Sequence, residues 1–170
     1  MTFLTRLFGG FASRVLAVAL AVSAAQFPVY YTQYLQTLAG ARQEASLRYA
    51  ELLSEAGALN LGAEDFIVRH EENSDPVFQS SGRIHRTTLL RYQKLDAAWQ
   101  ALSGASGFER PLVLPRHFDR QLAQAVRFTP GLPLTLEAGA YALAGLLTAW
   151  LLSAITGALV MPKPRTAFVR

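Results

Sequence analysis

The sequence predicts an all-α chain: two transmembrane helices flanking an extramembrane antiparallel helical hairpin, plus a short helix. Three observations predict it. Two long stretches near the ends are almost empty of charge, two runs of apolar residues recur at helical spacing between them, and turn residues sit where those runs stop. Hydrophobic residues make up 51% of the chain and charged residues 16%, against about 25% charged in ordinary soluble domains. The distribution gives that shortfall its meaning, because charges avoid the same two stretches.

The first stretch is expected as transmembrane helix 1 over residues 7–31, where Arg14 is the only charge. Its uninterrupted apolar core, Val15 to Ala25, is eleven residues long. Two readings follow. A basic start, a short apolar centre and small residues at Ser23 and Ala25 describe a cleaved signal peptide. A retained helix is supported by the apolar character continuing through Phe27, Val29 and Tyr30, with Arg14 snorkelling to the interface and Phe27, Tyr30 and Tyr31 forming an aromatic belt.

Residues 32–128 are expected as an extramembrane helical region. Tyr34, Leu38, Ala41, Ala45, Tyr49, Leu52 and Ala56 recur at steps of three and four, as do Phe78, Ser81, Ile84, Thr88, Tyr92, Leu95, Trp99 and Leu102. Such steps lay a stripe along one helix face. Asn60, Gly62 and Asn73-Ser74-Asp75-Pro76 end the first helix and start the second, with a linker between them; Ser103 to Gly107 ends the second. Two helices of roughly 24 residues make an antiparallel hairpin about 36 Å long. A short helix from Asp119 to Arg127 leads on.

Transmembrane helix 2 is expected over 136–161. From Ala138 to Met161 there are 24 residues without a charge, enough to cross a hydrocarbon core of roughly 30 Å. Pro130 and Pro133 precede it, Thr135 caps it, Glu137 suits its positive end, and Pro162 and Pro164 close it. A basic cytoplasmic tail, 162–170, follows.

The net charge of +4 belongs to these flanks. Residues 32–128 hold eleven basic and eleven acidic side chains, so the excess comes from Arg6, Arg14, Lys163, Arg165 and Arg170 against Glu137. Charge placed beside apolar segments is an orientation signal rather than a nucleic-acid footprint, so no nucleic-acid partner is expected. It sets both termini in the cytoplasm and the middle in the periplasm, although Arg42, Arg48, Arg120 and Arg127 pull the other way. The absence of cysteine excludes disulfides, thiol catalysis and cysteine zinc sites.

Several short motifs resemble a bacterial family of small two-span membrane proteins, domain-of-unknown-function family 2937. They are Gln26-Phe27-Pro28, Gln33-Tyr34 with Leu38, Ser74 to Phe78, Arg91 to Leu95, and Pro130 to Thr135. The resemblance covers most of the chain, implies a retained first span, and supplies no activity.

No residue is singled out as catalytic, cofactor-binding or metal-binding. His70-Glu71-Glu72 with His85 is the nearest thing to a ligand cluster, but fifteen residues and the Asp75-Pro76 break separate the histidines, so they read as solvated linker residues. Gly104 to Gly107 lacks a nucleophile-elbow spacing. Arg14 and Glu137 sit near span ends, which argues against a transport pathway. Small residues recur every fourth position at Gly9, Ser13, Ala17, Ala21 and Ala25, and again at Gly145, Ala149, Ser153 and Gly157. Such rows let helix backbones approach in lipid. Ten of the residues 9–25 are Gly, Ala or Ser, which dilutes the signal.

The expected function is that of a small integral protein of the bacterial inner membrane: a non-catalytic interaction, scaffolding or accessory subunit. Its partners are the lipid bilayer and a protein partner or second copy, met through the spans or the hairpin. The alternative is small-molecule or lipid binding, enzymatic or not, at a site between the extramembrane helices and the membrane surface involving Arg116, His117 or Arg120.

Overall fold

The computed structural model describes residues 2–131 and 134–160. The expected tail at 162–170 lies outside the described residues, as do Leu132, Pro133 and Met161. The described residues are helical, without a strand: α1 Thr2–Ala25, α2 Phe27–Ala58, α3 Ala63–Glu71, α4 Pro76–Ser103, α5 Arg110–Val113, a 3-10 turn Leu114–Arg116, α6 Arg120–Ala125 and α7 Leu136–Val160. They fall into two compact units. The terminal unit takes the chain up to Tyr30 and from Thr129 onward; the central unit is Tyr31–Phe128.

In the terminal unit α1 and α7 pack against each other antiparallel. Leu20 and Ala21 lie against Gly145, while Phe27, further along the chain, packs on Tyr141 with ring centroids 5.1 Å apart. A break at Gln26 separates α1 from α2. Its cause is Pro28, which has no N–H to give the carbonyl four residues back, and whose ring crowds that turn. The Gln26 N–H is shared between the Val22 and Ser23 carbonyls, each at 3.2 Å. At the far side Thr135 Oγ1 accepts the Ala138 N–H at 3.1 Å, the cap expected of it.

In the central unit α2 and α4 run antiparallel and meet through long side chains. Tyr49 stacks on Tyr92 at 4.7 Å, Arg42 binds Asp96 at 2.7 Å, and the Tyr31 hydroxyl donates to the Leu102 carbonyl at 2.7 Å. α2 ends in a left-handed cap at Asn60, φ 54°. Its neighbour Leu61 returns an N–H to the Ala56 carbonyl at 3.0 Å, Asn60 donates to Gly57 at 2.9 Å, and Leu61 packs back on the core. This paired arrangement satisfies two carbonyls that the helix end leaves open. α4 begins where the sequence places it: Asp75 caps the Val77 N–H at 2.9 Å, with Pro76 in the first turn.

Residues 59–75 are not the bare linker that the sequence suggested. They contain α3, which lies close along α4 and, with the end of α2, encloses the core of Leu52, Ala56, Phe66, Ile67 and Leu89. α3 is only nine residues long, too short for a periodic pattern to declare itself. Its presence shifts the buried face of α4. Gly82, Leu89, Leu95, Ala98 and Leu102 are inside, whereas Phe78 and Ile84, placed on the stripe by spacing, are exposed. Gly82 is the reason. A Cβ there would stand 2.7 Å from the Glu71 backbone nitrogen, so α3 docks where α4 has no side chain.

Two glycines in this unit therefore respond oppositely to alanine. Gly82→Ala forces α3 off its seat and lowers stability by about 1–3 kcal/mol. Gly40→Ala, in open space on α2, raises it by roughly 0.5–1 kcal/mol. Thermal unfolding followed by circular dichroism reads both; equal shifts would contradict the packing described.

Candidate functional site

Two features have the geometry of a working surface: the seam and outer face of α1 and α7, and a polar groove on the central unit. The seam is made of small residues. On α7, Ala138, Gly145 and Ala149 are buried, with Ala142 and Ser153 half-buried; on α1, Ser13, Ala17, Leu20, Ala21 and Ala24 are half-covered. At the closest point a Cβ on Gly145 would sit 2.6 Å from the Leu20 carbonyl oxygen and 2.9 Å from the Ala21 Cα. Only glycine permits that approach.

The large side chains point the other way. Val15, Leu16, Val18 and Val22 on α1, and Leu143, Leu146, Leu147, Trp150, Leu151, Leu152 and Ile155 on α7, are 42–70% exposed. Withdrawing a large apolar side chain from water is worth roughly 1.5–3 kcal/mol, so eleven such chains left half in water forgo on the order of 10 kcal/mol. That equals the whole stability of a typical domain. Both helices are long and apolar enough to cross a membrane. Two hydroxyls of α7 are satisfied within the helix: Thr148 donates to Ala144 at 2.8 Å and Thr156 to Leu152 at 2.9 Å.

One polar contact closes this unit. The Gln26 side chain donates through Nε2 to the Gly131 carbonyl at 2.9 Å and accepts the Gly131 N–H at 3.2 Å. A single amide thus satisfies both backbone groups of the loop before α7. It joins two of the short motifs singled out in the sequence, residues 26–28 and 130–135.

In the central unit an open groove of about 350 Å³ is lined by Arg48, Arg83 and Arg91 with Ser80, Thr87 and Thr88. Its charge is partly answered, because Glu44 binds both Arg48 at 2.5 Å and Arg91 at 3.2 Å. The Thr87 and Thr88 hydroxyls are turned to their own helix, donating to Arg83 and Ile84 carbonyls. The groove is therefore a solvated furrow and not a prepared polar pocket.

The histidines fare differently from the expectation. His70 and His85 come together with ring centroids 5.6 Å apart, which their separation of fifteen positions had argued against. They do so as part of an aromatic cluster with Phe66 and Phe78, and His70 Nδ1 lies 2.8 Å from the Phe66 carbonyl. Glu71 is drawn elsewhere, to Arg86 at 2.8 Å, where Glu64 also binds. No group of three His, Asp or Glu among the described residues is placed to hold a metal ion. Of the residues named for an alternative site, Arg116 and Arg120 are exposed, and His117 offers its backbone carbonyl to the Tyr34 hydroxyl at 3.4 Å.

The shifted carboxylates are all paired surface groups. The Arg86 hydrogen bond holds Glu71 below the usual carboxylate range, the Ser106 N–H and hydroxyl do so for Glu109, and Lys94 with the helix N–H groups does so for Asp119. They mark structural pairs rather than a proton-transfer site.

The family model described as a protein of unknown function, DUF2937, matches residues 8–166. No curated protein and no solved structure matches the chain.

Two outcomes follow. Gly145→Leu separates α1 from α7 and lowers the thermal midpoint of the detergent-solubilised protein, whereas Gly139→Leu, in open space on the same helix, leaves it unchanged. Because the folded Glu71 value lies below its unfolded one, its pairing stabilises at pH above about 4.3 and is lost as pH falls through the folded value. Protection factors of the α3 amides, corrected for the slower intrinsic exchange in acid, should fall as pH drops below about 4.3, and Arg86→Gln should flatten that acid dependence.

Proposed function

The chain belongs to the DUF2937 family, whose function is not established, and on its geometry we propose that it is an integral protein of the bacterial inner membrane acting as a non-catalytic accessory or scaffolding subunit. One observation carries the reading: α1 and α7 bury their small residues against each other and turn their large apolar ones outward. A soluble domain does the reverse, since its stability comes from removing large apolar chains from water. In lipid the outward chains cost nothing, and close backbone contact is what holds helices together.

The same argument favours a retained first helix over a cleaved leader. A leader is discarded, yet residues 13–25 supply half of the seam and Gln26 supplies the link to Gly131. Basic residues at Arg6 and Arg14 before the first span, and at Lys163, Arg165 and Arg170 after the second, favour cytoplasmic termini with the central unit in the periplasm. The scaffolding role rests on the make-up of the central unit, where the ion pairs Arg42–Asp96, Arg86–Glu71 and Lys94–Asp119 join one element to another.

Intact mass of the membrane-extracted protein should include residues 1–25; a mature N-terminus at Gln26 would leave one span and overturn the topology. In the cysteine-free chain, Ser80→Cys should react with an impermeant thiol reagent in spheroplasts, and Thr166→Cys should react only after lysis. The opposite labelling would invert the topology. Purification in mild detergent should recover a protein partner or a self-associated form, and a lone monomer would remove the scaffolding role.

A further inference from the structure

We infer that the segment Phe108–Arg120 is a second, non-spanning membrane contact, in which Phe108 and Leu112 insert into the headgroup and acyl boundary of an anionic bilayer. The inference rests on the membrane reading above and adds a lipid-binding surface to the central unit.

The segment is built to present apolar side chains outward. Phe108 is 86% exposed and Leu112 67%, and Phe118, stacked on Tyr34, remains 47% exposed. Phe108 is not carried on a slack loop. Glu109 accepts both the Ser106 N–H at 2.9 Å and the Ser106 hydroxyl at 2.8 Å, fixing the turn beneath it. Arg110, next along, lies over the Tyr31 ring at 5.0 Å, and the Tyr31 hydroxyl binds Leu102. The segment is thereby fastened to Tyr31, near the start of α2.

Charge selects the occupant. Residues 108–120 carry three arginines, 110, 116 and 120, against Glu109 and Asp119, a net of +1. Residues 31–103 carry seven basic and nine acidic side chains, a net of −2. Exposed apolar residues also occur around α3, at Leu59, Val77 and Phe78, but these sit among Glu64, Asp65, Glu72 and Asp75 in the sequence and would be repelled by anionic headgroups. Exposed arginines and phenylalanines interleaved along one segment match a lipid interface, where arginine meets phosphate and phenylalanine enters the acyl edge.

The test uses the whole protein in vesicles of phosphatidylethanolamine and phosphatidylglycerol. Single cysteines replace Phe108, Leu112, Ser80 or Trp150 in the cysteine-free chain and carry a nitroxide. Power saturation then compares accessibility to oxygen, which partitions into lipid, with that to a water-soluble nickel chelate. The oxygen-to-nickel ratio at Phe108→Cys and Leu112→Cys should exceed that at Ser80→Cys several-fold and fall short of that at Trp150→Cys. Ratios at 108 and 112 equal to that at 80, with 150 reading lipid, would overturn the interfacial contact and leave the spans standing. A water-like ratio at 150 would overturn the membrane reading itself, and the contact with it. Should either 108 or 112 disturb folding, as circular dichroism would show, the other position decides.

Discussion

The approach of α1 and α7 at Gly145 is the contact on which the rest of the chain depends. Two helices that turn their large apolar side chains away from each other gain little from burying them, so close backbone contact must hold the pair. A missing side chain at position 145 brings the second helix against the Leu20 carbonyl. That fixes the register of the pair, and register puts Gln26 beside Gly131. The chain thereby leaves and re-enters the terminal unit at one place, and everything from Tyr31 to Phe128 becomes an insertion closed at its base.

The central unit uses the same device once and a different one elsewhere. Where α3 meets α4, Gly82 removes a side chain and the helices touch, as at Gly145. Where α2 meets α4, paired tyrosines and the Arg42–Asp96 bridge span the distance. Tyr34 shows why large polar-tipped residues suit this second job. It is fully buried, yet its hydroxyl accepts the Asp119 N–H at 2.9 Å and reaches the His117 carbonyl, so one ring seats the whole connection between α5 and α6. An isolated ion pair such as Arg91–Glu44 adds little beside it, since exposed pairs of this kind are worth about 0–1 kcal/mol.

Much of this was legible in the sequence because helix ends announce themselves by chemistry. Asp75 before Pro76, Asn60, Thr135 and Asp119 are capping or turn residues, and each does in space what its side chain allows. The spans were legible from length and want of charge. What stayed hidden depends on glycine and on short range. A stripe drawn through apolar residues passes over Gly82, so α3 and the turned face of α4 were missed and Phe78 and Ile84 were placed inside. The His70–His85 pair was hidden for the same reason, since only α3 folding back on α4 shortens fifteen residues to a ring contact. The four-residue row of small residues was visible but overpopulated. Ser13, Ala17 and Ala21 do face the seam, yet spacing alone does not separate them from the other small residues of α1.

Charge divides the chain more plainly than any single motif. A global +4 invites a nucleic-acid reading, but mapping it dissolves that reading twice over. The excess first resolves into residues beside the spans; then the neutral middle resolves into an acidic part, 31–103, and a basic part, 104–128. The acidic part places four of its nine carboxylates, Glu44, Glu64, Glu71 and Asp96, in ion pairs with its own arginines. The basic part has fewer internal duties. Arg116 and Arg120 are exposed, and they lie in the sequence close to Thr129, where the chain returns to the terminal unit.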